Sequence, residues 1–476
     1  MNKGIVSLIA VAVSVSGSWS AATAGDSLKD ALIAAYHSNP DLQRQRTILK
    51  GTDELLPQAN ANFLPRAQAT GSFGHSTLIG PRYEVDANGN VGQTRSKGYS
   101  TRAGVSVSQP LFDGLGDVAG RKAAKSLVRA GRAQLRNVEQ IVFSDVVAAY
   151  LNVIRDTSIL ELQKNNEQLL ERQLEASRAR FQVGEITQTD VAQSQARLQR
   201  ALTSVLEASA QLEASKSFYL RVVGLQAVGL DVDQAMPDLP TTLDDAMMTA
   251  RERSPVIESA RYNEQAAKYS VRQRVADLLP SVGLSASLDW NNPENRWSVV
   301  SDGIDPSDPS RGLNNDSTTK SYGISVTVPL YQGGGEYSRI RAAKLTRSQR
   351  MIEIHKAERE VQEVVTTAWQ NYKAAEASIL STQAQADANQ IALDGVRQEA
   401  AVGSRTTLEV LNAAQELLSS QVDLVRSQRN ALVAAYGLLA ATGQLTAGDL
   451  SLETDLYDPE VHYKKVRNKV IGTGIQ

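Results

Sequence analysis

Thr187-x-x-Asp190 and Thr406-x-x-Glu409 each set an acid three residues after a threonine. At that spacing the hydroxyl accepts from the acid's backbone N–H, and the carboxylate accepts from the threonine's N–H. This two-way closure marks a helix start. The same spacing would place carboxylates on the rim of any tube built from helix starts, and the residues alone leave both readings open. Other chemistry is sparse. His37, His75, His355 and His462 are scattered without metal-ligand spacing. The chain has no cysteine, so thiolate metal sites and disulfide frameworks are excluded. Gly333-Gly334-Gly335 lacks the Lys-Ser/Thr of a phosphate loop and reads as a swivel in the backbone. No catalytic residue, metal or cofactor is expected, and the protein reads as no enzyme. A net charge of −2 supplies no basic excess for nucleic acid.

The ends and bulk of the chain narrow the setting. Lys3 precedes an apolar run from Ile5 to Val15, followed by Ala22-Thr23-Ala24. That order reads as a secretory signal peptide over residues 1–24. No later stretch reaches the ~18 apolar residues that a membrane-crossing helix needs. An exported chain of this kind stays in the periplasm, leaves the cell, or enters the outer membrane as strands.

The sequence repeats itself. Ser27-Leu28-Lys29-Asp30-Ala31 resembles Thr242-Leu243-Asp244-Asp245-Ala246, and Leu64-Pro65 matches Leu279-Pro280 at the same offset of 215. Further on the offset becomes 219, where Gly104 to Leu111 matches Gly323 to Leu330 and Val183-Gly184 matches Val402-Gly403. The four extra residues fall in Gly/Asn/Asp/Pro-rich stretches at about 76–98 and 291–320, which read as loops. The expected organisation is repeat one over 25–241, repeat two over 242–445, and a tail over 446–476, equatorial or disordered.

Each repeat begins with short helices that end near Asn39-Pro40 or Ser254-Pro255 and near Leu64-Pro65 or Leu279-Pro280. A β-hairpin follows, at about 66–109 and about 281–328. Val282, Leu284, Ala286, Leu288 and Trp290 alternate with Ser281, Gly283, Ser285, Ser287 and Asp289. Tyr322, Ile324, Val326 and Val328 alternate with Ser321, Gly323, Ser325 and Thr327. A barrel wall with lipid outside and water inside needs this alternation, and so does a half-buried strand of a soluble sheet. Aromatics near the strand ends and the signal peptide favour the membrane.

No proline lies between Pro110 and Pro237, or between Pro329 and Pro459. Each tract is rich in good helix formers and is interrupted once, at Val183-Gly184 and at Val402-Gly403. The spacing predicts two helical hairpins, about 117–223 and about 336–442. Their ascending arms would each run roughly 100 Å. Such helices must lie side by side in a bundle or tube. Two repeats supply four strands, and four strands cannot close a barrel in lipid. Two copies would supply about eight strands and three copies about twelve, and only the larger barrel leaves a lumen.

Pro110-Leu111-Phe112, Pro329-Leu330-Tyr331-x-Gly-Gly and the two tips resemble the TolC family of outer-membrane efflux and secretion proteins. The tip patterns are Phe181-x-Val183-Gly184-x-x-Thr187-x-x-Asp190-Val191 and Val402-Gly403-x-Arg405-Thr406-x-x-Glu409-Val410-Leu411-Asn412-Ala413. The resemblance implies an α+β membrane protein and a homotrimer. Its twelve-stranded β-barrel would sit in outer-membrane lipid and continue into a twelve-helix periplasmic α-barrel. It implies export in a tripartite transporter with a periplasmic adaptor (membrane fusion) protein and an inner-membrane ABC or RND transporter. The tail Tyr457-Asp458-Pro459-Glu460-x-His462-Tyr463 resembles the branch that serves type I protein secretion, with multidrug efflux as the alternative. A coiled-coil envelope protein without a pore is the reading from another class.

The same resemblance assigns residues. Glu409 and Asn412 stand where the family has acidic rings that narrow the entrance, with Asn412 departing from the acid. Arg405 and Asp190 stand where the family links its closed tips, and Ala400 stands where a supporting aromatic is usual. The adaptor is expected at Val183, Gly184, Val402 and Gly403.

Overall fold

The computed structural model describes residues 27–85, 91–299 and 316–474. The signal-peptide expectation on residues 1–24 lies outside them.

The first half of the chain runs α1 (Leu28–Ser38), α2 (Pro40–Asp53), α3 (Leu55–Ala61), β1 (Arg66–Val85), β2 (Val91–Asp113), α4 (Gly116–Gln182) and α5 (Gln188–Val223). The second half runs α6 (Leu243–Arg253), α7 (Pro255–Ala276), β3 (Ser281–Val299), β4 (Ser317–Thr327), α8 (Gly335–Ala401) and α9 (Thr407–Thr442). A short α10 (Pro459–Val466) follows. Both halves share one order except at α2 and α3, which stand where the second half has α7 alone. Pro57 explains the break. It has no N–H to donate to the carbonyl of Asp53, four residues back, so the helix that the sequence suggests up to Leu64 stops and restarts.

The chain forms two compact units. The first holds the residues up to Arg46, Leu135–Pro255 and Glu358–Tyr457. Leu32 and Tyr36 of α1, Phe143, Val147 and Tyr150 of α4, Tyr219 and Val223 of α5, and Leu438 of α9 are all buried in it. Tyr36 meets the Phe143 ring at 6.2 Å, and Tyr150 meets Tyr219 at 6.4 Å. Here α1 lies against α5 and α6 lies against α9, so the duplication shows in packing as well as in order. The start of the tail is held in this unit. Leu445 and Ala447 are buried, and the Ala447 N–H donates to Glu139 at 2.7 Å. Arg46 lies over the rings of both Tyr36 and Tyr457.

The second unit holds Thr47–Gln134, Val256–Ala357 and the residues from Asp458 onward. It contains a four-stranded antiparallel meander in the order β1-β2-β3-β4. Register sorts the side chains. Ala69 pairs with Val105, Val105 with Leu288, Val107 with Ala286, Leu284 with Ile324 and Ala286 with Tyr322. These make one apolar face. Ser106 pairs with Ser287, Ser287 with Ser321 and Gly283 with Ser325, which makes the other face small and polar. Ser287 and Ser321 share a hydrogen bond, and Arg102 donates to Asn291. Among the described residues no helix covers the apolar face of β4, where Tyr322 is 89% exposed, Ile324 69% and Val326 63%.

The strands also run further than composition suggests. Residues 76–85 and 91–98, read as loop, continue the β1–β2 ladder in pairs such as Ser76 with Gly98. The ladder is made by backbone groups, which any side chain outside proline permits. At Pro110 the register with β3 slips by one residue, as expected where a donor is missing.

In this unit the tail is docked rather than loose. Asp458 caps α10 by accepting from the Glu460 N–H, and Pro459 takes the first turn. His462 pairs with buried Asp53 at 3.0 Å, and Arg132 both bonds Glu460 and lies over the Tyr463 ring. The residues that define the tail motif therefore fasten it.

Candidate functional site at the hairpin tips

The two tips are built alike. In the first, the Glu185 N–H donates to the Arg180 carbonyl and the Gly184 N–H to the Phe181 carbonyl, both at 2.9 Å. In the second, the Ser404 N–H donates to the Glu399 carbonyl at 3.0 Å and the Gly403 N–H to the Ala400 carbonyl at 3.1 Å. This pair of bonds closes a helix end when the residue after the last turn is left-handed. Gly184 has φ +79° and Gly403 has φ +82°, which only glycine adopts without strain. Each turn pushes a valine outward, with Val183 77% and Val402 82% exposed.

The return helices then start on capping boxes. At α5 the Thr187 N–H donates to Asp190 at 3.0 Å, while the Asp190 N–H donates to the Thr187 hydroxyl at 3.3 Å. At α9 the Thr406 N–H donates to Glu409 at 2.8 Å, and the Glu409 N–H donates to the Thr406 hydroxyl at 3.3 Å. The acids are therefore ionised helix caps. The Thr406 backbone bond, with Arg405 adding to it, holds the Glu409 carboxyl down at about 2. The Thr187 hydroxyl lowers Asp190 in the same way.

The bases differ between tips. Arg180, on the last turn of α4, bonds Glu185 in the turn. In the second tip the signs are exchanged. Glu399, on the last turn of α8, receives the Arg405 Nε at 2.7 Å, and Arg405 Nη1 reaches Glu409 at 2.8 Å. Arg405 is thus bonded to acids of its own hairpin, while Asp190 is bonded to Thr187 of the other. Asn412 accepts from Arg197 Nη2 of α5 at 2.6 Å, a bond from one hairpin to the other. Glu399 and Arg197 were not singled out from sequence. Glu399 could have been found, because it matches Arg180 at the repeat offset of 219 with the opposite sign. Arg197 carries no local signal, since its partner lies 215 residues away.

Among the described residues, no group of three or more His, Asp or Glu is placed to hold a metal. No helix among the described residues is long and apolar enough to cross a membrane. The family model for outer membrane efflux proteins matches residues 32–217 and 247–444. The chain belongs to that family. It is the family that the strand exits and tips resemble, and its place is the outer membrane.

Outer membrane efflux protein BepC of Brucella suis biovar 1 is 34% identical over 472 residues, covering 99% of this chain and 97% of BepC. Alkaline protease secretion protein AprF of Pseudomonas aeruginosa is 26% identical, covering 73% of this chain and 70% of AprF. The crystal structure of the Campylobacter jejuni CmeC outer membrane channel shares the fold, with a TM-score of 0.72 at 17% identity. That likeness covers 93% of this chain and 89% of CmeC. The fold of this efflux-family chain is the α+β channel fold, a strand meander joined to long helical hairpins.

Proposed function

We propose that three copies of this chain close a twelve-stranded barrel in the outer membrane and a helical tube beneath it, forming a passive export duct. The observation that carries this is the uncovered sheet. Among the described residues β1 pairs only with β2 and β4 only with β3, so the sheet offers two unpaired strand edges beside an apolar face. Unpaired edges in lipid cost several kcal/mol for each unsatisfied group, so the sheet must close on other copies. With four strands per copy, β4 meets the next β1 antiparallel and the strand number stays even. The helices support the same reading. Leu345, Ile352 and Leu380 on α8 are each at least 68% exposed and lie seven and twenty-eight residues apart. A heptad stripe of this kind seeks another helix.

At the entrance, three Glu409 carboxylates form the charged ring, and the outward Val183 and Val402 beside Gly184 and Gly403 receive the adaptor. Arg405 and Asp190 form the latch that ties the closed tips. An inner-membrane transporter supplies the energy.

The cargo reading is polypeptide secretion through an ABC transporter. AprF supports it by its name, and the inward face is lined by small residues such as Ser106, Ser287 and Ser325. BepC, named an efflux protein, favours small-molecule efflux as the second reading. Deleting the gene separates them. Secretion predicts a protein missing from the culture medium at unchanged drug tolerance, whereas efflux predicts lowered tolerance with an unchanged set of secreted proteins. A strain that loses neither contradicts both.

A further inference from the structure

Within the second unit, α4, α7 and α8 enclose a groove of about 470 Å³, a size that suits a small molecule. Arg339, Ala343 and Arg350 share one face of α8 at offsets of four and seven, and Ala267 and Arg274 share one face of α7 seven apart. Leu127 of α4 closes the third side. Small residues keep the middle of the groove open and apolar. Of the described residues that line it, none is acidic and three are arginines.

The arginines are not equivalent. α7 leads into β3 and α8 follows β4, so Arg274 and Arg339 stand at the end nearest the sheet. Arg350 stands eleven residues further along α8, roughly 16 Å away. It is bonded to Glu353 at 2.7 Å, and Arg274 has Asp277 at 3.8 Å. Arg339 is exposed and forms no ion pair among the described residues. A free guanidinium beside an apolar trough suits a molecule with an anionic head and an apolar body. The head gains charge-assisted hydrogen bonds and the body is removed from water.

The groove opens on the polar side of the sheet. A neighbouring cleft of about 770 Å³ shares Arg274 and Arg339 and is lined by Ser281 and Thr327, which pair on the small polar face of β3 and β4. That cleft also carries Asp113, Asp117 and Asp277, which repel an anion and leave the groove as its favourable place. In the duct reading the polar face looks inward, and the groove looks inward with it. We infer that this groove is a binding site inside the duct for small anionic amphiphiles, with Arg339 and Arg274 holding the head. The inference rests on the export-duct reading and adds a class of solute that pauses in the passage.

The test titrates full-length protein with naphthalene-2-sulfonate by calorimetry at low ionic strength, with neutral naphthalene-2-sulfonamide as the matched probe. The sulfonate should bind saturably. Arg339→Gln should weaken it about tenfold, the loss of one hydrogen bond to a charged group. The sulfonamide should bind about tenfold more weakly than the sulfonate, and equally to wild type and Arg339→Gln. Arg341→Gln, which removes a charge outside the groove, should change neither. Ala342→Trp fills the groove and should abolish binding of both probes. In planar bilayers the sulfonate should block wild-type current and leave Arg339→Gln current unblocked at the same concentration. Conducting pores with no saturable binding, or with Arg339→Gln binding at wild-type strength, overturn the site and leave the duct standing. Saturable binding that never blocks conducting pores removes the site from the passage and overturns the inference as well. Protein that never conducts overturns the duct, and the titration then decides the groove alone.

Discussion

Glu409 is fastened by backbone and side chain at once, accepting from the Thr406 N–H, the Thr406 hydroxyl and Arg405. Those bonds favour its charged form and bring its carboxyl from an ordinary 4.5 down to about 2. A carboxylate with a depressed value adds stability that is fully present above the ordinary value and is lost as pH falls toward the depressed one. The start of α9 should therefore keep its amide protection from pH 7 to about 4.5 and lose it between about 4.5 and 2. Hydrogen exchange corrected for intrinsic rates reads this at residues 406–410, and Glu409→Gln should abolish the transition. Protection that falls already between pH 7 and 5 would contradict the cap. The same charge bears on the proposed entrance ring, where three Glu409 carboxylates around one axis would attract cations. Glu409→Ala should lower cation selectivity, read as a smaller reversal potential across a salt gradient, and an unchanged potential would leave Glu409 as a cap alone. Both capping boxes were legible in the sequence, since a cap is local and depends on a spacing of three. The partner of Asn412 was not, because Arg197 approaches it only through the packing of α5 on α9.

The helices owe their length to what is missing from them. α4 and α8 each run 67 residues, roughly 100 Å, with no proline inside. They stop where glycine accepts a left-handed turn, and so do α5 and α9, at Gly224 and Gly443. These glycines are not equivalent. A Cβ at Gly443 would sit 2.8 Å from the Arg253 carbonyl oxygen, whereas one at Gly403 meets nothing within 4 Å. Gly403→Ala should cost only the backbone strain, about 1 kcal/mol, while Gly443→Ala should cost about 1–3 kcal/mol more by forcing α9 from α6. Thermal unfolding of the two variants tests the ranking, and equal midpoints would refute it. The hairpins and strand pairs were readable because periodicity and proline spacing act over a single element. The break at Glu54 and the extra strand length at 76–85 were not. One depends on which carbonyl Pro57 fails to serve, and the other on a ladder that ignores side-chain type.

The whole molecule is incomplete as one chain. Its sheet has two free edges and an uncovered apolar face, and α8 carries an exposed heptad stripe. Each of these is costly alone and satisfied by neighbours, which is why function and assembly are one question here. The duplication was visible at this scale in the offsets of 215 and 219, which gave the paired hairpins, while the channel fold came with the family resemblance. The number of copies was not visible, because four strands per chain are compatible with any closed ring. Single-channel recording from the purified protein in planar bilayers, with the mass of the detergent complex measured alongside, addresses the central claim most directly. A duct closed by three chains gives steady unitary current steps from a complex of that mass. A complex of three chains that passes no current would contradict it.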